Sequence, residues 1–139
     1  MPRTRVETRA RARVLQALYA WEMRGGTSLE RVASEVWDDL ALTPEIRRIA
    51  EPILRTVARR QHEADAELAD ITTNWRLERV GAVERCVLRM AAAELSIGET
   101  PPRVVIQEAV TLAERFGSAQ SARFVNGVLD ALARRRGRI

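Results

Sequence analysis

Apolar residues recur every three to four positions along almost the whole chain, which is the period of an amphipathic α-helix. The pattern predicts a first helix from about Thr4 to Met23, ended by Gly25-Gly26, and a second that starts at Thr27-Ser28. A third opens at Thr43-Pro44-Glu45, where a capping residue precedes a proline. Pro52 lies inside that helix and predicts either a kink or two shorter helices.

The helical period continues through the second half of the chain. Residues 66–71 predict a short helix, and a longer one runs from about Glu78 to Ile97. Pro101-Pro102 makes the next break, residues 103–116 form another helix, and the last begins at about Ser121. Six or seven helices with short connections predict an all-α fold, and no segment alternates in the way that marks a strand.

We expect one domain, with a small bundle over about residues 1–72 packed on a second over about residues 73–139. The composition, 46% hydrophobic and 30% charged, is that of a folded globular protein. No apolar run is long enough to cross a bilayer, and the N-terminus lacks the apolar stretch of a signal peptide. The single cysteine, Cys86, cannot form an internal disulfide, so we expect a cytoplasmic protein.

Positive charge is concentrated at the two ends of the chain. Residues 1–13 hold five arginines and one glutamate, and residues 134–138 hold four arginines, although the whole chain has a net charge of only +4. All 23 basic residues are arginine, for which codon usage in a GC-rich genome is one explanation. Because guanidinium groups bind phosphate bidentately and stack on bases, the charged ends favour contact with an anionic polymer.

One face of the first helix carries Arg5, Arg9, Arg13 and Gln16, with Tyr19 at its border. A plain solvated face is the alternative interpretation. However, only Glu7 is available to pair with these cations, and unpaired like charges one turn apart repel each other. Phosphates would relieve that repulsion, while a tyrosine can stack on a base and a glutamine can bind a base edge. The stripe therefore predicts RNA, not a membrane surface, as the ligand.

Nothing in the sequence indicates catalysis. His62 is the only histidine, and Cys86 lies in the most apolar helix and is expected in the core. The adjacent carboxylates Asp38 and Asp39 are interpreted as surface charges near the end of a helix. Glycine-rich phosphate loops, paired-cysteine metal spacings and nucleophile elbows are missing from the sequence. We therefore expect a protein that is not an enzyme and that uses no metal and no cofactor.

Three stretches of the chain point to a known family: ARARVLQALYAWEM, VERCVLRMAAAEL, and VVIQEAVTLAERFG followed by SARFVNGVLD. In this order, and in a chain of this length, they resemble the NusB family of bacterial transcription antitermination proteins. The resemblance extends over nearly the whole sequence. It implies an all-helical fold made of two small bundles.

The resemblance also implies a binding function. NusB-type proteins pair with NusE, a ribosomal small-subunit protein, and the pair binds the single-stranded boxA element of nascent RNA. With NusA and NusG they help RNA polymerase to resist termination in rRNA operons. Some members self-associate, so a homodimer stays open here. One alternative is a structural or dimerising helical module. The other is the NusB-like part of an rRNA methyltransferase, but such an enzyme also needs an α/β domain, for which 139 residues leave no room.

The family pattern assigns candidate site residues. On the first helix the resemblance implies that RNA contacts Arg9, Arg11, Gln16 and Tyr19, and wheel geometry alone adds Arg5 and Arg13. At the start of the last helix it implies a second RNA contact through Ser121, Arg123, Phe124 and Asn126. Phe124 in the core and Asn126 bonded to a buried neighbour are the alternatives. Gly127, inside this helix, indicates close packing against another backbone.

The resemblance places the protein partner on the middle helix. Glu84 and Arg85, with Glu78 before them, are the candidates for docking NusE. Exposed charges of this kind suit a transient interface and set its register. The alternative is a solvated helix face.

Overall fold

The computed structural model describes residues 5–72 and 80–139, and within these residues all regular structure is helical, with no strand. The helices are α1 Arg5–Arg24, α2 Leu29–Asp39, α3 Pro44–Ile71, α4 Ala82–Ile97, α5 Pro102–Phe116 and α6 Ala119–Arg135. The predicted all-α fold is confirmed, with six helices in the described part of the chain.

The third helix differs from its prediction. α3 runs as one helix through Pro52 to Ile71, so the expected division at Pro52 and the separate helix over residues 66–71 are wrong, whereas the alternative of a kink at Pro52 stays a prediction. Proline removes one backbone hydrogen bond from a helix. Buried residues on one side of α3, from Ala50 to Leu68, hold the helix against the core on both sides of the proline. Tertiary packing of this face outweighs the local loss.

Two helices also begin at other residues than the pattern predicts. α4 begins at Ala82, because Val80 and the capping residue Gly81 are not helical. α6 begins at Ala119, since the Ser118 hydroxyl accepts a hydrogen bond from the backbone N–H of Ser121 at 3.1 Å and caps the helix. The sequence pattern predicts the start of this helix at about Ser121, two residues after its observed start.

The α2–α3 turn, residues 40–43, is fixed by backbone hydrogen bonds. The N–H of Leu42 donates to the carbonyl of Trp37 at 3.1 Å, and the N–H of Ala41 donates to that of Asp38 at 3.0 Å. Ala41 has φ +51°, the left-handed conformation that usually requires glycine after a helix end. The turn therefore has a defined shape.

A single hydrophobic core contains buried residues from all six helices. α4 lies at its centre, with Leu88, Leu95 and Cys86 fully buried, and it contacts α1, α3, α5 and α6. α1 is fixed to α2 by the indole of Trp37, whose Nε1 donates to the backbone carbonyl of Arg13 at 3.0 Å. The division into two bundles near residue 72 stays a prediction.

Candidate nucleic-acid interface

The predicted stripe on α1 lies at the surface where the structure describes it. Arg9 is exposed, Arg13 is half-buried and donates from Nη1 to Oε1 of Gln16 at 2.8 Å, and Tyr19 is 42% exposed. The opposite face of α1, including Ala10 and Val14, is completely buried. α1 therefore holds these polar side chains outward from a face anchored in the core. Arg5 begins α1, and its side chain lies outside the described residues.

Arg11 is not part of this surface, so the prediction that it contacts RNA is wrong. The residue is 3% exposed. Its Nε and Nη2 donate to the two carboxylate oxygens of Glu94 at 2.8 and 2.6 Å, and its Nη1 donates to Glu108 at 2.9 Å. Burial alone lowers the pKa of Arg11, but the hydrogen bonds and charges of the two glutamates outweigh it and raise that pKa. Arg11 fixes α1 to α4 and α5.

The stripe borders a cleft that we call the α1 cleft. Its walls are α1, the α2–α3 turn and the end of α5, and its volume is about 450 Å³. The lining residues are Thr8, Arg9, Ala12, Arg13, Gln16, Leu40, Ala41, Leu42, Thr43, Ile46, Arg115 and Phe116. The guanidinium carbon of Arg115 lies 5.0 Å from the centroid of the Phe116 ring. Three guanidinium groups and no carboxylate thus face one concave surface, an arrangement that attracts anions.

A second, more apolar groove continues the α1 cleft toward α4. Tyr19, Ala20 and Val83 line it together with Phe116 and Gln16, and the last two line the α1 cleft as well. Phe116 is 38% exposed at this junction. Basic, amide and aromatic side chains therefore form one continuous surface, which is the combination that single-stranded nucleic acid binding requires.

The candidate residues on α6 divide between two sides of the helix. Phe124 is half-buried, packs against the core and borders a small groove with Gly81 and Glu84. Arg123 and Asn126 are exposed and line a different groove, of about 610 Å³, between α5 and α6. One helix face cannot present all of them to the same ligand. The alternative that Phe124 belongs to the core is thus correct in part. The alternative for Asn126, a hydrogen bond to a buried neighbour, is not observed, because Asn126 is exposed.

Ser121 does not serve as a free phosphate ligand. It is 7% exposed, and its hydroxyl donates to Oε2 of Glu84 at 2.9 Å. Gly127 also differs from the expectation of close packing, because a methyl group added there would meet nothing within 4 Å. Ser121 therefore links α6 to α4, and Gly127 stands at an open surface.

The predicted partner residues on α4 are engaged within the chain. Glu84 is half-buried and accepts the Ser121 bond. Arg85 is half-buried, donates to Glu22 of α1 from Nε at 2.5 Å, and also donates to the carbonyl of Val80. The expectation of exposed charges at these positions is wrong, because both side chains hold α4 to its neighbours. Glu78 lies outside the described residues.

Sequence reasoning missed the contribution of α5 and the α2–α3 turn. Arg115 and Phe116 lie about a hundred residues from the stripe that they join. The sequence did contain one local indication that Arg115 is available to a ligand: no acidic residue stands three or four positions from it, so it has no ion-pair partner on its own helix face. The concave shape itself depends on tertiary packing that periodicity does not contain.

The structure offers no site for a metal among the described residues, since no three histidine, cysteine or acidic side chains cluster there. None of the helices described is both long and apolar enough to cross a membrane. Binding through the cationic and aromatic surface is the chemistry that this arrangement supports.

Known proteins resemble this chain over nearly all of its length. The model of the NusB family matches residues 8–134. A transcription antitermination protein NusB from Sorangium cellulosum is 43% identical over 130 residues, covering 93% of this chain and 92% of the relative. Another from Anaeromyxobacter dehalogenans is 40% identical over 127 residues, covering 91% and 89%.

Solved structures agree with the sequence relatives. NusB of T. maritima superposes with a TM-score of 0.86 at 31% identity, covering 96% of this chain and 93% of that one. A chain from a crystal structure of the antitermination factors NusB and NusE with double-stranded RNA superposes with a TM-score of 0.85 at 27% identity, covering 95% and 98%. The sequence and the fold together place this chain in the NusB family.

Proposed function

We propose that this protein is a transcription antitermination factor that binds boxA RNA together with NusE and helps RNA polymerase to resist termination in rRNA operons. The observation that carries the proposal is the α1 surface, where Arg9, Arg13 and Arg115 meet without a carboxylate among the lining residues. Such a surface supplies the electrostatic part of RNA affinity, and Gln16, Tyr19 and Phe116 beside it supply contacts to bases.

The similar proteins support both partners. The two sequence relatives are transcription antitermination proteins, and the structural neighbour was crystallised with NusE and double-stranded RNA. In our proposal the ligand of this chain is a single strand, because exposed aromatic side chains stack on unpaired bases. NusA, NusG and RNA polymerase are the further members of the proposed assembly, and the site performs recognition without catalysis.

Arg123 and Asn126 contribute to the proposed RNA surface from a separate position. They lie in the groove between α5 and α6, which Arg103 and Arg134 also line together with Glu114 and with Asp130, the carboxylate that pairs with Arg134 at 2.9 Å. A strand that contacts both the α1 cleft and this groove would pass around the end of α5. Glu84 and Arg85 serve the proposed NusE contact by ordering the start of α4, since their charges are satisfied within the chain.

Binding of a labelled boxA RNA to the purified protein, with and without NusE and against a scrambled RNA, tests the proposal. We expect tighter binding to boxA and a further gain in affinity when NusE is added. Equal, weak and salt-sensitive binding to both RNAs under both conditions would reduce the protein to a basic helical module.

The double variant Arg9→Ala/Arg13→Ala locates the site. We expect lower boxA affinity with an intact fold, and a log–log salt slope that falls by roughly 0.7 for each phosphate that the variant no longer neutralises. Arg59→Ala is the matched control, because Arg59 is exposed on α3 and does not line the α1 cleft. An equal decrease of affinity in the control variant would remove the stripe from the site.

Self-association is a second candidate role for the same face. Tyr19, Met23 and Phe116 expose large apolar side chains, and Met23 is 56% exposed. Contact with a second copy of the chain would cover them. Sedimentation of the free protein and of its RNA complex separates the two roles, since a dimer through this face dissociates when RNA binds.

A further inference from the structure

Three segments that are distant in the sequence enclose the α1 cleft. Arg9 and Arg13 line one side, the α2–α3 turn lines another, and Arg115 and Phe116 of α5 complete it. Its volume of about 450 Å³ falls within the range of pockets for small ligands, roughly 300–1,000 Å³. The cleft is therefore of the size that holds a single nucleotide.

The cations of the α1 cleft have no acidic partner in the described part of the chain. Arg9 and Arg115 form no ion pair there, and Arg13 donates to the neutral amide of Gln16. Many arginines elsewhere, such as Arg89 with Asp65 at 3.0 Å, are paired with carboxylates. Three unpaired guanidinium groups around one concavity repel each other until an anion binds between them.

Part of the cleft lining is apolar. Ala12, Leu42 and Ile46 form this part together with the partly exposed ring of Phe116, and the guanidinium of Arg115 lies beside that ring. A bare phosphate would gain nothing from this apolar lining. A nucleobase would gain from it, because bases stack on aromatic rings and on arginine planes.

The wall opposite the arginines is preorganised. The hydrogen bonds from Leu42 to Trp37 and from Ala41 to Asp38 fix the α2–α3 turn. Trp37 also donates to the carbonyl of Arg13, which ties this wall to the arginine side of the cleft. Both walls therefore keep their spacing before a ligand binds, which lowers the entropic cost of binding.

We propose that the α1 cleft receives one unstacked base of single-stranded RNA. The base lies against the ring of Phe116, and Arg9, Arg13 and Arg115 bind the phosphates on either side of it. This inference rests on the proposed RNA-binding function and adds Arg115 and Phe116 to its site. It also excludes a paired base from the cleft, because a base in a duplex must leave its stack and its partner before it can enter such a pocket.

A double-mutant cycle between protein and RNA tests the insertion. Single-stranded boxA RNAs, each with one abasic ribose at a successive position, are titrated against the unaltered protein and against Phe116→Leu. At one position we expect the missing base to lower the affinity of the unaltered protein roughly five- to a hundredfold. At that position the loss should nearly vanish in Phe116→Leu, whereas other positions should show equal losses in both proteins.

Two further arms isolate the features of the cleft. The same RNA annealed to its complement should bind with no dependence on Phe116. Arg115→Ala should weaken single-strand binding and lower the salt slope by roughly 0.7, while the control Arg59→Ala should leave both unchanged. If Phe116→Leu proves unfolded by circular dichroism, Phe116→Met replaces it, since methionine also conserves side-chain volume better than alanine.

The outcomes separate this inference from the proposed function. If boxA binds and Arg9→Ala/Arg13→Ala weakens it, but no RNA position couples to Phe116, then base insertion is overturned and RNA binding stands. If the unaltered protein binds none of the single-stranded RNAs, both are overturned. Coupling of Phe116 that persists in the duplex would also contradict insertion.

Discussion

Arg11 and Glu94 are joined by two hydrogen bonds in the interior of the protein, Nε to Oε1 at 2.8 Å and Nη2 to Oε2 at 2.6 Å. The third guanidinium nitrogen of Arg11 donates to Glu108 at 2.9 Å. One buried cation thus balances carboxylates of α4 and α5 and fixes the position of α1 on both. The outward direction of Arg9 and Arg13 depends on this internal contact.

Removing the Arg11 cation should destabilise the fold strongly. We expect Arg11→Met to lower the free energy of unfolding by about 3–5 kcal/mol, because it removes the cation that pairs with the buried carboxylate of Glu94. Urea denaturation followed by circular dichroism measures the change. Arg9→Met is the matched control and should cost no more than about 0.5 kcal/mol, as Arg9 is exposed. Adding Glu94→Gln and Glu108→Gln to Arg11→Met should recover part of the lost stability. Equal stability of Arg11→Met and Arg9→Met would contradict the structural role of Arg11.

Gly127 should be replaceable with a gain in stability. Within α6 its added methyl group would meet nothing within 4 Å, and its backbone is not in the left-handed region. Gly127→Ala should therefore raise the free energy of unfolding by about 0.5–1 kcal/mol, by restricting the unfolded chain. A lower urea midpoint in this variant would show that the site is more crowded than the structure indicates.

The pair of Glu67 and Arg136 should make stability fall in acid. Arg136 donates to both carboxylate oxygens of Glu67, at 2.7 and 3.2 Å, and the hydrogen bond lowers the pKa of Glu67 below its ordinary value of 4.5. A lowered pKa in the folded state gives stability that is present above pH 4.5 and is lost as the pH falls through the folded value. Glu67→Gln should flatten this part of the pH dependence in thermal unfolding.

Glu51→Gln serves as the control for that measurement. Glu51 pairs with Arg55 four residues along α3, and both side chains are exposed. Surface pairs of this kind contribute little to stability. If both glutamine variants lose the same acid sensitivity, the dependence does not arise at Glu67.

Cys86 should resist alkylation in the native protein. Burial, together with the charge and hydrogen bond of Glu22, raises the pKa of the Cys86 thiol to about 12, and the residue is fully buried. Iodoacetamide at mildly alkaline pH should therefore modify it only as fast as the protein opens, and rapidly in urea. Since the folded pKa exceeds the ordinary value of 9.0, stability should fall as the pH rises above 9.0. Rapid native labelling would contradict this assignment.

The parts of the structure that follow from local periodicity could be predicted from the sequence. The outward stripe of α1 is an example, because side chains four residues apart share a face whatever the rest of the chain does. A helical projection of α1 also indicates that Arg11 lies on the buried face, because Arg11 is about 20° around the helix axis from the buried Leu18. The family pattern favoured an RNA contact there, and the two glutamates that pair with Arg11 lie more than eighty residues away.

Features that depend on tertiary packing were missed. Of the two outcomes that Pro52 predicts, a kink or two shorter helices, the division does not occur because packing of α3 on the core keeps one helix. The α1 cleft combines residues of α1, α5 and the α2–α3 turn, and no local pattern specifies their meeting. Glu84 and Arg85 appear as surface charges in the sequence because Ser121 and Glu22, which bond to them, belong to other helices.

The hydrogen bond from Trp37 to the carbonyl of Arg13 gives the protein an internal optical reporter. The indole is 2% exposed and is bonded to the backbone of a residue whose side chain lines the α1 cleft. A ligand that pulls on Arg13 changes the electric field at that carbonyl and hence the environment of the excited indole. In a variant with Trp21 and Trp75 replaced by phenylalanine, the emission of Trp37 would therefore report occupancy of the cleft with no dye attached to protein or ligand.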